Sequence, residues 1–226
     1  VPRDADDRLM KDRRMILFVG LMAPILAWSW VSPQDRLTWW LEVVPVLIGV
    51  PLLLLTAQRF PLSTMLLVLL WLHAVVLIVG GHYTYALVPG FGPTDALGRA
   101  LGWTRNNYDK LGHFAQGFVP AILTREILLR TSPLSACVGV DGKLRVSRWV
   151  AFLVVSVCLA FSAFYELIEW LTANFQGAAA EAFLGTQGDI WDTQKDMATA
   201  LLGALIALAV LSRVHDRAVA RLLDGS

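Results

Sequence analysis

The sequence predicts an all-α, polytopic membrane bundle of about six transmembrane helices, with both termini in the cytoplasm. Three observations predict it. The chain is 56% hydrophobic with a mean hydropathy of +0.58, where a soluble domain is about 45–50% apolar. Six segments reach or approach the roughly 20 mostly apolar residues that a bilayer crossing requires. Trp28, Trp30, Trp39, Trp40, Tyr108, Trp149, Trp170 and Trp191 fall near segment ends, as an aromatic belt at headgroup level would.

The segments follow in order. Met15–Val31 comes after a basic start and lacks a small-residue cleavage site, so it reads as a retained first span. Trp39–Ala57 carries Pro45 and Pro51, which a membrane helix tolerates as bends. Leu62–Gly81 contains an isolated His73, read as a packing residue. Tyr108–Leu129 is the fourth and has Arg125 and Glu126 inside it. Trp149–Ala173 and Asp192–Ser212 complete the set. The chain thus reads as one integral membrane domain, 1–226: a cytoplasmic segment 1–14, a bundle over 15–212 and a cytoplasmic tail 213–226. Orientation rests on Lys and Arg. With the N-terminus inside, fourteen fall on the inner side and five on the outer side, which satisfies the positive-inside rule.

Between spans, Ser132–Ser147 has Asp-Gly between β-prone runs and predicts a small hairpin. Two outer loops are long, His82–Tyr108 and Asn174–Ile190, and Gly177–Leu184 within the second reads as a short interfacial helix. Cys137 and Cys158 have no paired spacing and read as small apolar filler. A net charge of +1 gives no basic surface for nucleic acid.

Ionisable residues cluster at one depth. Asp109 and His113 are four apart at the start of the fourth segment, on one helical face. Glu166 and Glu169 are three apart near the end of the fifth; at 1.5 Å per residue Glu166 stands about 25 Å above Trp149. Asp189, Asp192 and Asp196 open the sixth. Orientation brings all three groups to the outer third of the membrane. Against these six carboxylates stand Arg105, Lys110 and Lys195, an excess of three negative charges. Unpaired buried carboxylates are costly, and a divalent metal, protonation or water access would relieve them. Carboxylates with an imidazole suit Zn, Mn, Fe or Mg.

On this reading Asp109, His113, Glu166, Asp192 and Asp189 are metal ligands, with Glu169 and Asp196 as catalytic bases. Arg105, Lys110 and Lys195 are the groups for an anionic head. His82 and Glu42 are further members; Gln116, Asn106 and Gln194 are supporting hydrogen-bond partners. The competing reading is structural. Asp109 and Asp196 sit at helix starts, where a carboxylate favours the positive dipole end, and Lys110 and Lys195 could serve only as partners to neighbouring acids.

The stretches "NNYDKLGHFAQGFVPAILTRE", "FYELIEW" and "GTQGDIWDTQKDM" resemble the YjdF family of bacterial inner-membrane proteins, over about His82 to Gly203. A weaker resemblance is to VanZ-like membrane proteins, which also begin a span with a DKxxH element and carry acidic residues before the last one. The YjdF resemblance implies the inner-membrane setting and the choice of Asp109, His113, Glu166, Glu169, Asp189, Asp192 and Asp196, and supplies no reaction. The VanZ-like resemblance implies envelope chemistry at most. The leading expectation is a metal-dependent hydrolase or group transferase, acting on a lipid-linked or envelope substrate at the outer leaflet. A cation or proton-coupled transporter is the second, and a non-catalytic scaffold or resistance accessory the third.

Overall fold

A computed structural model describes residues 2–134, 137–138, 144–176 and 187–224, with side chains for 13–134, 145–175 and 187–223. The described residues form seven helices and one short strand pair: α1 Pro2–Trp30, α2 Arg36–Thr56, α3 Thr64–Tyr83, α4 Ala96–Leu101, α5 Tyr108–Thr131, β1 Cys137–Val138, β2 Leu144–Arg145, α6 Arg148–Gln176 and α7 Asp192–Asp224. The all-helical bundle expected from hydropathy is the architecture observed. Four helices, α2, α3, α6 and α7, are long and apolar enough to cross a membrane. The other two segments expected to cross lie within α1 and α5, which have the length, 29 and 24 residues, but carry more charge.

Local chemistry sets the boundaries. The Asp35 side chain accepts from Thr38 N–H at 2.6 Å and starts α2; Ser63 starts α3 by accepting from Leu66 N–H. Such caps satisfy amide groups that a helix start leaves unpaired. Pro45 and Pro51 lie inside α2. The His82–Tyr108 loop holds a helix that its Gly and Pro content hides, the six-residue α4, closed by Gly102 in the left-handed conformation. β1 and β2 pair antiparallel, Cys137 opposite Arg145 and Val138 opposite Leu144, as the hairpin expectation requires. The Asp141–Gly142 turn, the Cys137 thiol and the expected helix at Gly177–Leu184 lie outside the described residues.

The last helix is longer than its apolar segment. Expected to end at Ser212, it continues to Asp224. Its 33 residues span about 50 Å at 1.5 Å each, well beyond the roughly 30 Å of hydrocarbon. The extension is held by burial: His215 and Val219 are fully enclosed, and α7 packs on β2.

α5 is the centre of the bundle. It packs most extensively on α7, and also on α6 and α3. At the α5–α7 crossing the backbones nearly touch: a Cβ on Gly117 would run into the Ala200 carbonyl, and one on Gly203 into the Phe114 carbonyl. Small residues permit this approach between membrane helices. Beyond the crossing, Ala121, Ile122 and Leu129 of α5, Val150, Val154 and Cys158 of α6, and Ala204 and Ala207 of α7 form a dry core with Leu66 and Leu67 of α3. Cys158 is therefore the apolar filler expected of it.

Arg125 and Glu126 of α5 are resolved by internal pairing. Glu126 is fully buried and accepts from Ser63 N–H at 2.9 Å, Ser63 Oγ at 2.6 Å, Arg130 at 3.1 Å and His215 Nε2 at 3.0 Å. Arg125 donates to His215 Nδ1 at 2.7 Å and to Asp216 at 2.6 Å. The network clamps α3, α5 and α7 together at the C-terminal end of α5.

Candidate functional site

The opposite end of α5 carries the residues singled out by sequence. Two loop contacts deliver them. Gln187 accepts from Asn106 N–H and donates to the Asn106 carbonyl, each at 3.0 Å. This pins the loop before α7 to the loop before α5, so the two helix starts lie side by side. The Gly117–Ala200 contact then fixes how closely His113 faces Asp196.

Five of the six expected carboxylates gather here. Asp109 and Asp192 form one half with Asp196. Arg105 pairs with Asp109 and lies 2.8 Å from Asp192. Lys110 Nζ lies 2.9 Å from Asp192 Oδ1 and 2.6 Å from Asp196 Oδ1. Asp109 also accepts from the Lys110 backbone N–H at 2.8 Å, so the helix-start reading holds for that residue. Arg105 and Lys110, expected to face a substrate, are engaged by these three aspartates.

The other half is different. His113 Nε2 lies 3.7 Å from Asp196 Oδ2, and Nδ1 lies 3.9 Å from Glu166 Oε1. Gln116 Oε1 lies 3.0 Å from Nδ1; with the proton on that nitrogen it would accept and leave the Nε2 lone pair free, as supporting groups do for ligating histidines. Glu166 Oε1 is buried without any hydrogen-bond partner, a condition that natural structures rarely leave uncompensated. Ligand atoms of His113, Glu166 and Asp196 lie within 4.8 Å of one another, and so do those of Asp109, Asp192 and Asp196. Only the second trio already holds two cationic side chains. The donor set His113–Glu166–Asp196, in which only Asp196 meets a cation, could hold a divalent ion; in the other trio Arg105 and Lys110 already occupy the carboxylates.

Glu169, three residues on from Glu166, is half-buried, and the charges acting on it most strongly are the carboxylates Glu166, Glu42, Asp196 and Asp192. Glu42 of α2 does join this neighbourhood. It accepts from Tyr165 at 3.4 Å and from Tyr85. Tyr85 is wedged between α3 and α5 against Gly80 and Gly112; a Cβ on Gly112 would lie 2.7 Å from its ring. Thr84 and Tyr85 adopt φ of 60° and 47°, a strained pair for non-glycine residues that drives the ring into this slot. Burial, and next the charge of Glu42, lifts the Tyr85 phenol well above its ordinary range, so it acts as a donor.

Several expected members lie elsewhere. Asp189 is outside the cluster: it pairs with the exposed Lys195 at 2.5 Å, and that bond, then the Trp191 amide, holds its carboxyl below the usual range. His82 belongs to the α1–α3 seam, with Nδ1 3.0 Å from the Ser29 carbonyl and its ring on Trp28. Asn106 serves the loop, donating to the Val88 carbonyl at 2.8 Å, and Gln194 is exposed. Sequence reasoning missed Tyr85, Tyr165 and Thr193, which bonds to Glu166. The signal for the tyrosines was available only in part: Tyr165 is adjacent to Glu166, but nothing local links Tyr85 to Gly80 and Gly112.

Residues 14–217 match the family described as "Predicted membrane protein (DUF2238)". Over 198 residues the chain is 52% identical to the inner membrane protein YjdF of Escherichia coli (strain K12), which spans 87% of this chain and 88% of the relative. No solved structure matches significantly. The matched range contains every residue of the cluster. The chain therefore belongs to the DUF2238 family of membrane proteins.

Proposed function

We propose that this chain is a membrane-embedded, metal-dependent hydrolase or group transferase, with a divalent cation held by His113, Glu166 and Asp196. Its substrate class is lipid-linked or envelope material reached from the outer leaflet. One observation carries the reading: Glu166 Oε1 is buried without a partner beside an imidazole and a second carboxylate, while the neighbouring aspartates are already served by Arg105 and Lys110.

When bound, the ion would supply Lewis acidity toward a phosphoryl or carbonyl oxygen. The chain's own residues do the rest. Gln116 fixes the imidazole, and Lys110 fixes Asp196 through its other oxygen. Glu169, set among carboxylates rather than cations, is the general base. Asp196, first considered for that role, is better used as a ligand, because Lys110 and His113 already divide its two oxygens. The Lys and Arg distribution, with the inner-membrane relative, supports six spans and a site facing outward.

Transport is the weaker alternative. A path would need polar groups through the other half of the bundle. Between Gln116 and Arg125, about 13 Å along α5, the buried facing residues Ala121 and Ile122 meet Ala204, Ala207, Val154 and Cys158. An apolar cavity of about 460 Å³ lies among α1, α2, α3 and α5, with Val46, His73 and Leu123 in its lining; no residue of α6 or α7 borders it.

The test is elemental analysis of purified protein reloaded with Mn, Zn, Fe and Mg, beside His113→Ala and Asp196→Asn. About one bound ion in the wild type, lost in both variants while they stay folded, supports the reading. A wild type that holds no metal overturns it and favours the scaffold role.

A further inference from the structure

Ser162 of α6 is enclosed within the bundle. Its hydroxyl is fully buried and has no hydrogen-bond partner. Hydroxyls inside helices ordinarily bond to the carbonyl one turn back. Thr56, Thr131, Thr199 and Ser212 of this chain do so. Ser162 does not.

Its position gives the reason. Val150, Val154, Cys158, Ser162 and Glu166 recur every four residues on α6, and all are buried. The first three pack against Ala121, Ile122, Ala204 and Ala207, so this stripe faces α5 and α7. Ser162 and Glu166 continue it toward the level of His113 and Asp196. Helical side chains lean toward the N-terminus of their helix, which carries the Glu166 carboxylate over the turn that holds Ser162. Two buried oxygens, Ser162 Oγ and Glu166 Oε1, thus lie one turn apart on the same buried stripe, each without a partner. An unsatisfied buried polar atom is costly, and two in succession are uncommon.

We infer that Ser162 Oγ is a further donor of the metal centre, and that the centre takes a hard divalent cation of the Mn²⁺ class. This rests on the reading of His113, Glu166 and Asp196 as ligands. With Ser162 the set becomes three oxygens and one imidazole nitrogen, without sulfur. Oxygen-rich sets suit Mg²⁺ and Mn²⁺, and thiolates suit Zn²⁺. Cys158, the nearest thiol on the stripe, is one turn further into the dry core.

The experiment uses the full chain in detergent, titrated with Mn²⁺ read by its electron paramagnetic resonance signal and competed with Zn²⁺. Ser162→Ala should weaken Mn²⁺ binding about tenfold, and Ser162→Thr, which keeps a hydroxyl, should restore most of it. Ser162→Cys should shift preference toward Zn²⁺ by about tenfold or more. Ser156→Ala, on an exposed position of the same helix, should change neither. Wild-type affinity and metal preference in both Ser162→Ala and Ser162→Cys overturn this inference and leave the three-residue centre standing. A wild type that binds neither ion overturns both.

Discussion

α5 has a polar cluster at each end, and the two are built on opposite terms. At its C-terminal end, Glu126 accepts four hydrogen bonds, His215 uses both ring nitrogens, and Arg125 reaches both His215 and Asp216. At its N-terminal end, Asp109 and Asp192 are paired, but Glu166 and Ser162 each keep a buried oxygen without a partner. A polar group buried for structure is given its partners by the fold itself. Both ends are largely buried; charge balance and completeness of hydrogen bonding separate them.

The sharpest way to test the contrast is at the closed end. Glu126→Ala strands Arg130, His215 and Ser63, and should cost about 3–5 kcal/mol, read as a large fall in the detergent unfolding midpoint. An unchanged midpoint would mean that the clamp contributes nothing. Next is the crossing that serves both ends. Gly117→Ala sets a methyl against the Ala200 carbonyl and should cost about 1–3 kcal/mol. It should weaken metal binding as well, since it moves His113 from Asp196; loss of stability with full affinity would separate the crossing from the site.

A smaller effect is expected at Tyr85→Phe. It removes a hydrogen bond to Glu42 and should cost about 1 kcal/mol by equilibrium unfolding, with the fold and the metal content intact. Glu166→Gln is the decisive opposite of Glu126→Ala. It should leave the unfolding midpoint level or raise it, because a buried charge whose Oε1 has no hydrogen-bond partner is removed, and yet abolish bound metal. A fall as large as that of Glu126→Ala would show that the two ends are alike.

Least of all should come from the exposed Asp189–Lys195 pair, since such pairs contribute little. Asp189→Asn should lower the midpoint only slightly at neutral pH. Because the folded carboxyl lies below its ordinary value, any contribution is present above the unfolded pKa and fades as pH falls through the folded one. An acid titration of the midpoint, wild type against Asp189→Asn, checks the sign: the two curves should converge only at the acid end.

Much of the site was legible in the residues. The spacing of Asp109 and His113, of Glu166 and Glu169, and of Asp192 and Asp196 placed these groups on helix faces, and the structure brings them together. Asp189 and His82 were misjudged because their distance from the cluster depends on loop paths, which have no periodicity to read. Lys110 and Arg105 were read as groups for an anionic head; the juxtaposition of the α5 and α7 starts engages them with Asp192 and Asp196 instead. Tyr85 was invisible because its slot is formed by two glycines thirty-two residues apart.

The sequence by itself determined the class of molecule, its long helices and the helix ends on which its acids stand. These follow from hydropathy, 3.6-residue periodicity and charge asymmetry, all of which act along one chain segment at a time. Tertiary structure alone decided which acids are paired and which are left open. That outcome depends on distances of a few ångströms between side chains on different helices, set here by the Gly117–Ala200 contact and the Gln187–Asn106 stitch. Pairing energies change over such distances, and no pattern within a single helix encodes them.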